Sequence, residues 1–455
     1  MLTYELKKAP GRPLYEDLYR CIRDDILSGQ LASGEKLPSK RALAENLDVS
    51  KITVESAYNQ LLQEGYIRSQ EKVGYFVEAV EHTQPTPAFF PEPEPQTVPF
   101  VDLTANGPVK FPFSVWNRLQ REVMLDLGQT LLQHLPNQGL LALRQAIARH
   151  LAQFRGMHVQ PEQILVGAGT DFLYNLLIQL LGREKRYAVE EPGYDKIRRI
   201  YAAAGAVCVD ARMDRQGVCP EYLEDADVLH ISPSHHFPTG LVTPVARRQE
   251  LLNWAKQKEN RWIIEDDYDS EFRFAAHPMP TMQAMDSSRV IYMNTFSKTL
   301  APSIRISYMI LPTELMEQFQ RKLGFYSCTV PGFEQYTLAR FLDEGHFEKH
   351  INRMRRFYKS RRNRVLAAIM ACPAAEKLTV LEENAGLHFL VKVNTEESDA
   401  ALVERCRRAD IHVRSLGSYY RGTVPAWAER CLVINYSGIC EEQLALLEER
   451  LGQIL

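Results

Sequence analysis

No charge of one sign dominates this sequence. Its 54 Lys and Arg face 57 Asp and Glu, for a formal net charge of −3. That balance excludes a bulk polycationic nucleic-acid binder, though not a small DNA-reading module inside a larger protein. No apolar run approaches the roughly 18 residues that a membrane helix needs. The opening stretch, MLTYELKKAPGRPLYEDLYR, has no apolar core after its basic residues, so no secretory signal is expected and the cytoplasm is the expected location. The eight cysteines (21, 208, 219, 328, 372, 406, 431 and 440) include no CxxC pair. Free thiols in a reducing compartment are expected, not a disulfide framework. There is no internal repeat. What remains is ordinary globular material, 45% hydrophobic and 24% charged. The 455 residues allow roughly three domains at about 150 residues each.

Proline is concentrated in one place. Residues 78–99, EAVEHTQPTPAFFPEPEPQTVP, hold Pro85, Pro87, Pro91, Pro93, Pro95 and Pro99 and no glycine. Such a run favours an extended, polyproline-like chain. It reads as a linker between an N-terminal module, residues 1–77, and a body, residues 100–455. In the module, Leu14, Leu18, Ile22 and Ile26 recur at helical spacing and Gly29 marks a stop. Pro38 and Ser39 open a second helix over KRALAENLDV. Ser50 is a candidate N-cap for a third, KITVESAYNQLLQEG, closed by Gly65. Tyr66–Arg68 and Gly74–Val77 read as two short strands about a polar turn. Helix, turn, recognition helix and β-wing is the order of a winged helix-turn-helix.

The body reads as α/β. Short apolar runs bounded by turn residues alternate with helical stretches: ILVGAG (164–169), YAVEEP (187–192), VLHISP (228–233), WIIEDD (262–267) and VIYMNTFS (290–297). This alternation predicts a parallel sheet. A large subdomain is expected over about 140–330 and a small C-terminal one over about 335–455. The small one has strands at LHFLVKV, IHVRSL and CLVINYS and a last helix at CEEQLALLEERLGQIL. GHFEKHINRMRRFYKSRRNRVLAAI (345–369) is a basic helix, with eight Lys or Arg and one Glu between 346 and 365. Charge runs of this kind are usually a solvated face; an auxiliary DNA contact is the alternative.

GEKLPSKRALAENLDVSKITVESAYNQLLQEGYI resembles the GntR class of bacterial winged-helix regulators. The resemblance implies DNA contacts from Arg41, Ser50, Lys51, Ile52 and Thr53, with Gly74 in the wing. Arg reaches guanine edges bidentately, and Lys, Ser and Thr near a helix N-terminus suit phosphates. Residues 1–77 hold eleven basic and eleven acidic side chains, so a winged helix used for protein contact is the alternative. Lys36, Lys40, Arg41 and Lys51 nonetheless cluster where DNA would lie. Glu55 departs from the family's usual basic residue; it would either accept from cytosine or repel phosphate.

MNTFSKTLAPSIRISYMILP (293–312) resembles the lysine loop of the aspartate-aminotransferase-like, fold type I family. The resemblance implies pyridoxal 5′-phosphate as cofactor. Lys298 would form a Schiff base with its aldehyde, and Thr295, Ser297 and Arg305 would hold its phosphate. WIIEDDYDSEF (262–272) implies an acid facing the pyridine nitrogen, Asp266 with Asp267 as alternative, and Tyr268 on the ring hydroxyl. No histidine stands at ligand spacing around these acids, so no metal is expected. In GAGTDFLYNLLIQLL (167–181) the N–H groups of Gly169, Thr170 and Asp171 would cradle phosphate at a helix start. EEPGY (190–194) puts Tyr194 where the family stacks an aromatic on the ring. SPSHHFPTG (232–240) is similar to the family's Asn-Pro-Thr-Gly turn with Phe237 in place of Asn. CLVINYSG puts Val433 where aminotransferases of this fold carry the arginine that binds the substrate carboxylate; Arg414 and Arg430 stand near in sequence.

Over nearly the whole chain, these parts and their order resemble the MocR-type regulators, which fuse a GntR winged helix to an aminotransferase-like domain. The resemblance implies a homodimeric transcription regulator that binds operator DNA and has no membrane partner. It would sense a small amine or amino acid through the Lys298 Schiff base. Two other readings stand beside it. One is a genuine aminotransferase carrying a DNA module, which Lys298, Asp266 and Tyr268 favour and Val433 disfavours. The other is a regulator that senses pyridoxal phosphate itself. Little or no physiological transaminase turnover is expected.

Overall fold

The structure, a computed structural model, describes residues 2–4, 6, 13–71, 73–79, 101–104, 110–272, 274, 279–384 and 386–454. Of the expected linker only 78 and 79 fall among them; the rest lies outside the described residues. The chain forms two compact units, Met1–Thr97 and Val98–Leu455.

In the first unit, α1 (Leu14–Leu27) buries Leu18, Ile22 and Ile26, as their spacing requires. Helix α2 (Lys40–Asn46) stops short of the Val49 end expected from the sequence. Asp48 turns the chain out of the helix at φ +51°, a left-handed conformation that Asp tolerates better than most residues. Helix α3 (Lys51–Gln63) starts at Ser50, whose side chain accepts from the Thr53 N–H. The Tyr58 hydroxyl donates to the Pro38 carbonyl at 2.9 Å, tying α3 to the start of α2. Strands β1 (Ile67–Gln70) and β2 (Gly74–Val77) form the antiparallel wing, with Ile67 opposite Val77. Leu18, Leu43, Val54, Leu61, Ile67 and Val77 share one core.

The body is built on an eight-stranded sheet. Its order is 164–167, 307–310, 290–295, 262–266, 228–231, 186–191, 207–214 and 217–218. The middle strands are parallel. The expectation of a parallel sheet needs correction towards both edges. Strand Ser307–Ile310 runs antiparallel between 290–295 and 164–167, and Gly217–Val218 hairpins back onto 207–214. Between Thr295 and Ser307 the chain returns through the short helical turns Phe296–Thr299 and Pro302–Ile304, and an antiparallel neighbour needs no crossover helix. Strands 164–167, 228–231, 262–266 and 290–295 are buried along their whole length, which is why they read as unbroken apolar runs.

The smaller antiparallel sheet has the order 378–381, 388–393, 431–435 and 414–415. IHVRSL, expected as one strand, is two. Ile411–His412 pairs in parallel with Val101–Asp102, and Arg414–Ser415 pairs with the strand 431–435. The first residues of the body thus join its C-terminal part, outside the expected bounds of 335–455. Helix His346–Ala371 buries Phe347, Ile351, Met354, Tyr358 and Val365 in a core that also holds residues of both sheets. Among the described residues no helix is long and apolar enough to cross a membrane.

Candidate functional site

The strands 164–167, 186–191, 228–231, 262–266 and 290–295 all end on the same edge of the large sheet, where open α/β sheets bind their ligands. Lys298 sits there on a one-turn helix, Phe296–Thr299. Burial pushes its ammonium below the ordinary lysine value, against the opposing pull of the Asp269 and Asp266 carboxylates. A lysine so placed is more readily the neutral, nucleophilic amine.

Asp266 ends the strand 262–266 and is buried. Its Oδ2 accepts from the Tyr174 hydroxyl and lies 3.6 Å from His230 Nε2, while Oδ1 has no partner. His230 is held in turn by the Tyr201 hydroxyl, 2.6 Å from Nδ1. Asp267 is committed elsewhere, to the Arg155 guanidinium and the Tyr292 hydroxyl at 2.7 Å. Burial alone would raise its pKa; Arg155 and Tyr292 outweigh that and hold it below the usual carboxylate value. Of the two adjacent acids, the one that acts on Lys298 is therefore Asp266, together with Asp269. The Tyr268 ring stacks on His235 at 6.0 Å, with its hydroxyl 3.4 Å from His235 Nδ1. Asp269 pairs with that same nitrogen at 2.7 Å. His388 lies 4.7 Å from the His235 ring. Burial and the neighbouring His235 push His388 well below its ordinary value, and its Nε2 has no partner. Tyr174, His230, His235 and His388 were not singled out from the sequence. The doublet in SPSHHFPTG was the one visible signal, and it does not say which ring enters the site.

Arg305 reaches over Gly169. A Cβ at Gly169 would stand 2.1 Å from Arg305 Nη2, so only glycine lets the guanidinium approach. Gly169 also has φ +92°, a further requirement for glycine. Its own N–H donates to the Gly167 carbonyl at 2.9 Å, so the cradle expected of Gly169, Thr170 and Asp171 loses that donor. The helix itself begins at Thr170, leaving its first N–H groups without intrahelical acceptors. The Asp171 carboxylate lies 3.5 Å from Arg305 and 2.7 Å from Lys196. Ser297 Oγ is buried without a partner. Thr295, expected to hold phosphate, spends its hydroxyl inside the protein. It accepts from the Ser297 N–H at 3.1 Å and from Ser307 Oγ at 2.7 Å. A buried amine, an unpartnered carboxylate oxygen, an unpartnered hydroxyl and an arginine over a glycine cradle fit pyridoxal 5′-phosphate.

Tyr194 is half exposed and meets Phe237 edge-on at 6.1 Å. Phe237 in turn meets Tyr419 at 5.3 Å and packs with Val433 in one apolar cluster. Arg430 is bound within its own neighbourhood, to the Thr395 carbonyl at 2.9 Å and to Glu429. Arg414 lies directly across the sheet from Val433. In the basic helix, Arg361 and Arg362 bind the Ser437 and Glu383 carbonyls at 3.1 and 3.2 Å. Arg364 pairs with Glu441. Part of the charge run therefore braces the body.

In the winged helix, Arg41, Lys51 and Ile52 are exposed, Ile52 by 75%. Among the described residues Arg41 makes a surface pair with Glu45. The Ser50 and Thr53 hydroxyls are 2.8 Å apart at the start of α3. At Gly74, φ is +138° and a Cβ would meet Lys36 Cε at 3.1 Å, so the wing turns close to that lysine. Glu55 pairs with Lys40 at 2.8 Å, and Lys40 also lies over the Tyr75 ring at 5.3 Å. Glu55 thus braces α3 against α2, and Lys40 drops out of the exposed cationic cluster.

Residues 98–451 match the family described as aminotransferase class I and II, and residues 14–77 match the gntR family of bacterial regulatory proteins. The chain is 36% identical to the uncharacterized HTH-type transcriptional regulator YhdI of Bacillus subtilis (strain 168), covering 98% of this chain and 96% of that one. It is 33% identical to the HTH-type pyridoxine biosynthesis transcriptional regulator PdxR of Corynebacterium glutamicum, over 93% and 92%. It is 32% identical to the probable rhizopine catabolism regulatory protein MocR of Rhizobium meliloti, over 94% and 90%. Among solved structures, the kynurenine aminotransferase of Pyrococcus horikoshii shares the fold with a TM-score of 0.68 at 24% identity, over 79% of this chain and 91% of that one. The chain belongs to the MocR-type HTH transcriptional regulators, a gntR-family winged helix joined to a class I and II aminotransferase domain. Pyridoxal 5′-phosphate is the cofactor of that domain.

Proposed function

We propose that this regulator reads a small amine or amino acid at Lys298 and passes the change to winged helices on operator DNA. The observation that carries this is the buried Lys298 amine, depressed by burial and set beside Asp266 with its unpartnered Oδ1. When bound, pyridoxal 5′-phosphate supplies an aldehyde that condenses reversibly with primary amines. Lys298 and an incoming amine compete for that position. Asp266, held by Tyr174 and His230, would face the ring nitrogen. Ser297, Arg305 and the start of the helix at Thr170 would hold the phosphate end, and Tyr194 would cover the ring. Arg41, Ser50, Lys51, Ile52 and Thr53, with Gly74 in the wing, meet the DNA. Phe237 has no polar atom to position the cofactor ring, and Val433 cannot pair with an anion, which favours binding over turnover. The protein acts in the cytoplasm as a homodimer; the exposed Phe113, Leu125 and Leu132 favour a covered surface on the body.

The test is the visible absorption of the cofactor-loaded protein titrated with amines and amino acids, beside Lys298→Ala. The native spectrum should change on titration, and borohydride should fix the cofactor to the native chain but not to Lys298→Ala. Fixation to the variant would assign the covalent link to another lysine. Turnover of a common amino acid at about 1 to 1,000 per second would make the protein a working aminotransferase instead.

A further inference from the structure

One apolar side chain of the winged helix is left out of its core. Helix α3 packs Val54, Ala57, Tyr58, Leu61 and Leu62 against the rest of the module. Ile52 does not join them and is 75% exposed. The spacing explains this. Val54, Ala57, Tyr58 and Leu61 line one face of the helix. Ile52 lies on the other, where its neighbours Glu55, Ser56, Asn59 and Gln63 are all polar. Isoleucine in an exposed first turn gives the fold little, since it buries no core surface there and is a weaker helix former than alanine.

Position decides what such a side chain meets. In a helix-turn-helix the second helix enters the major groove, and the residues at its N-terminal end reach the base edges. Ile52 stands in the first turn of α3, between the exposed Lys51 and Thr53, whose hydroxyl is 2.8 Å from that of Ser50. Glu55, next along the same face, is committed to Lys40 at 2.8 Å. The first turn therefore presents an apolar tip among charged and hydroxyl groups. The major groove offers one apolar group, the C5 methyl of thymine; the other bases present donors and acceptors there. Packing Ile52 on one of those would take a polar atom from water without giving it a partner. We infer that Ile52 selects thymine, by packing on the C5 methyl of one thymine in the DNA half-site that each winged helix covers. This rests on the DNA reading proposed for the winged helix.

The test uses the full-length, cofactor-loaded protein and a duplex that it selects from a random library. Each thymine of a half-site is replaced in turn by deoxyuridine, which removes the methyl and keeps the pairing with adenine. Dissociation constants are measured by anisotropy for the native protein, Ile52→Val and Ile52→Ala. At one thymine of the half-site the replacement should weaken native binding about three- to fivefold, the worth of one buried methyl. Ile52→Ala should bind the thymine and uracil forms of that position alike, and Ile52→Val should keep part of the difference. Because the contact carries no charge, Ile52→Ala should leave the salt slope of binding unchanged, unlike the loss of a phosphate contact. Its melting temperature should match that of the native module, since Ile52 lies outside the core. If no thymine shows a methyl effect, or if the effect persists undiminished in Ile52→Ala, the role of Ile52 is overturned and DNA reading stands. If the native protein selects no sequence from the library, DNA reading fails and the inference falls with it.

Discussion

Lys298 becomes useful through its neighbours, and so do Asp266 and Asp267, adjacent in sequence but set to different tasks. Asp266 faces the pocket with one oxygen unspent; Asp267 is spent on Arg155, with side chains only 9% and 1% exposed. Breaking a buried pair strands a charge and costs about 3–5 kcal/mol. Arg155→Ala should therefore destabilise the body by that amount at pH 7. The four tryptophans, at 116, 254, 262 and 427, all lie in the body, so denaturant unfolding read by their fluorescence follows that unit alone. The pH dependence has a definite sign. The Asp267 pKa is held below its ordinary 3.8 in the folded state, so the pair contributes fully above about pH 4 and loses its contribution as pH falls through the lowered value. The difference between native and Arg155→Ala should shrink on acidification. A constant difference from pH 7 to pH 3 would mean that the arginine acts by packing alone.

At the level of elements, the proposed DNA contacts lie at the starts of α2 and α3. Arg41→Ala and Lys51→Ala should each weaken DNA binding and lower the magnitude of the salt slope by about one unit, measured by anisotropy across a salt series. Lys40→Ala should instead act mainly through the fold of the module, because its charge is spent on Glu55; a salt-slope change as large as that of Lys51→Ala would contradict this. Much of this element was legible beforehand, since Ser50, the α3 periodicity and the wing are local patterns. The pocket was legible only where a residue's own string carries it: Lys298 in TFSKTLAPS, Asp266 in IIEDDYD, Phe237 in HHFPTG. Tyr174 and His230 were not, because their contacts with Asp266 depend on how helix and strands pack across long sequence separations. The reversed strand Ser307–Ile310 was missed for a related reason: a buried four-residue apolar run looks the same in either direction. The Glu55–Lys40 pair likewise becomes visible only once α2 and α3 are folded together.

At the scale of the whole molecule, a module that reads DNA and a body built for a cofactor form one chain, and the account requires their equilibria to be linked. A ligand shifts DNA affinity only if it binds one arrangement of the protein better than the other, and such couplings typically amount to about 5- to 150-fold. Lys298 is the residue through which this protein would feel an amine, so removing it should cut the link and leave both ends in working order. The most direct measurement takes a labelled DNA fragment selected from a random library by the native, cofactor-loaded protein. Its dissociation constant is followed by anisotropy as the amino acid that alters the native spectrum is added, for native protein and for Lys298→Ala. The account predicts a change of about fivefold or more for the native protein and a constant, comparable affinity for Lys298→Ala. Equal shifts in both proteins, or a native affinity indifferent to an amino acid that visibly occupies the pocket, would contradict it.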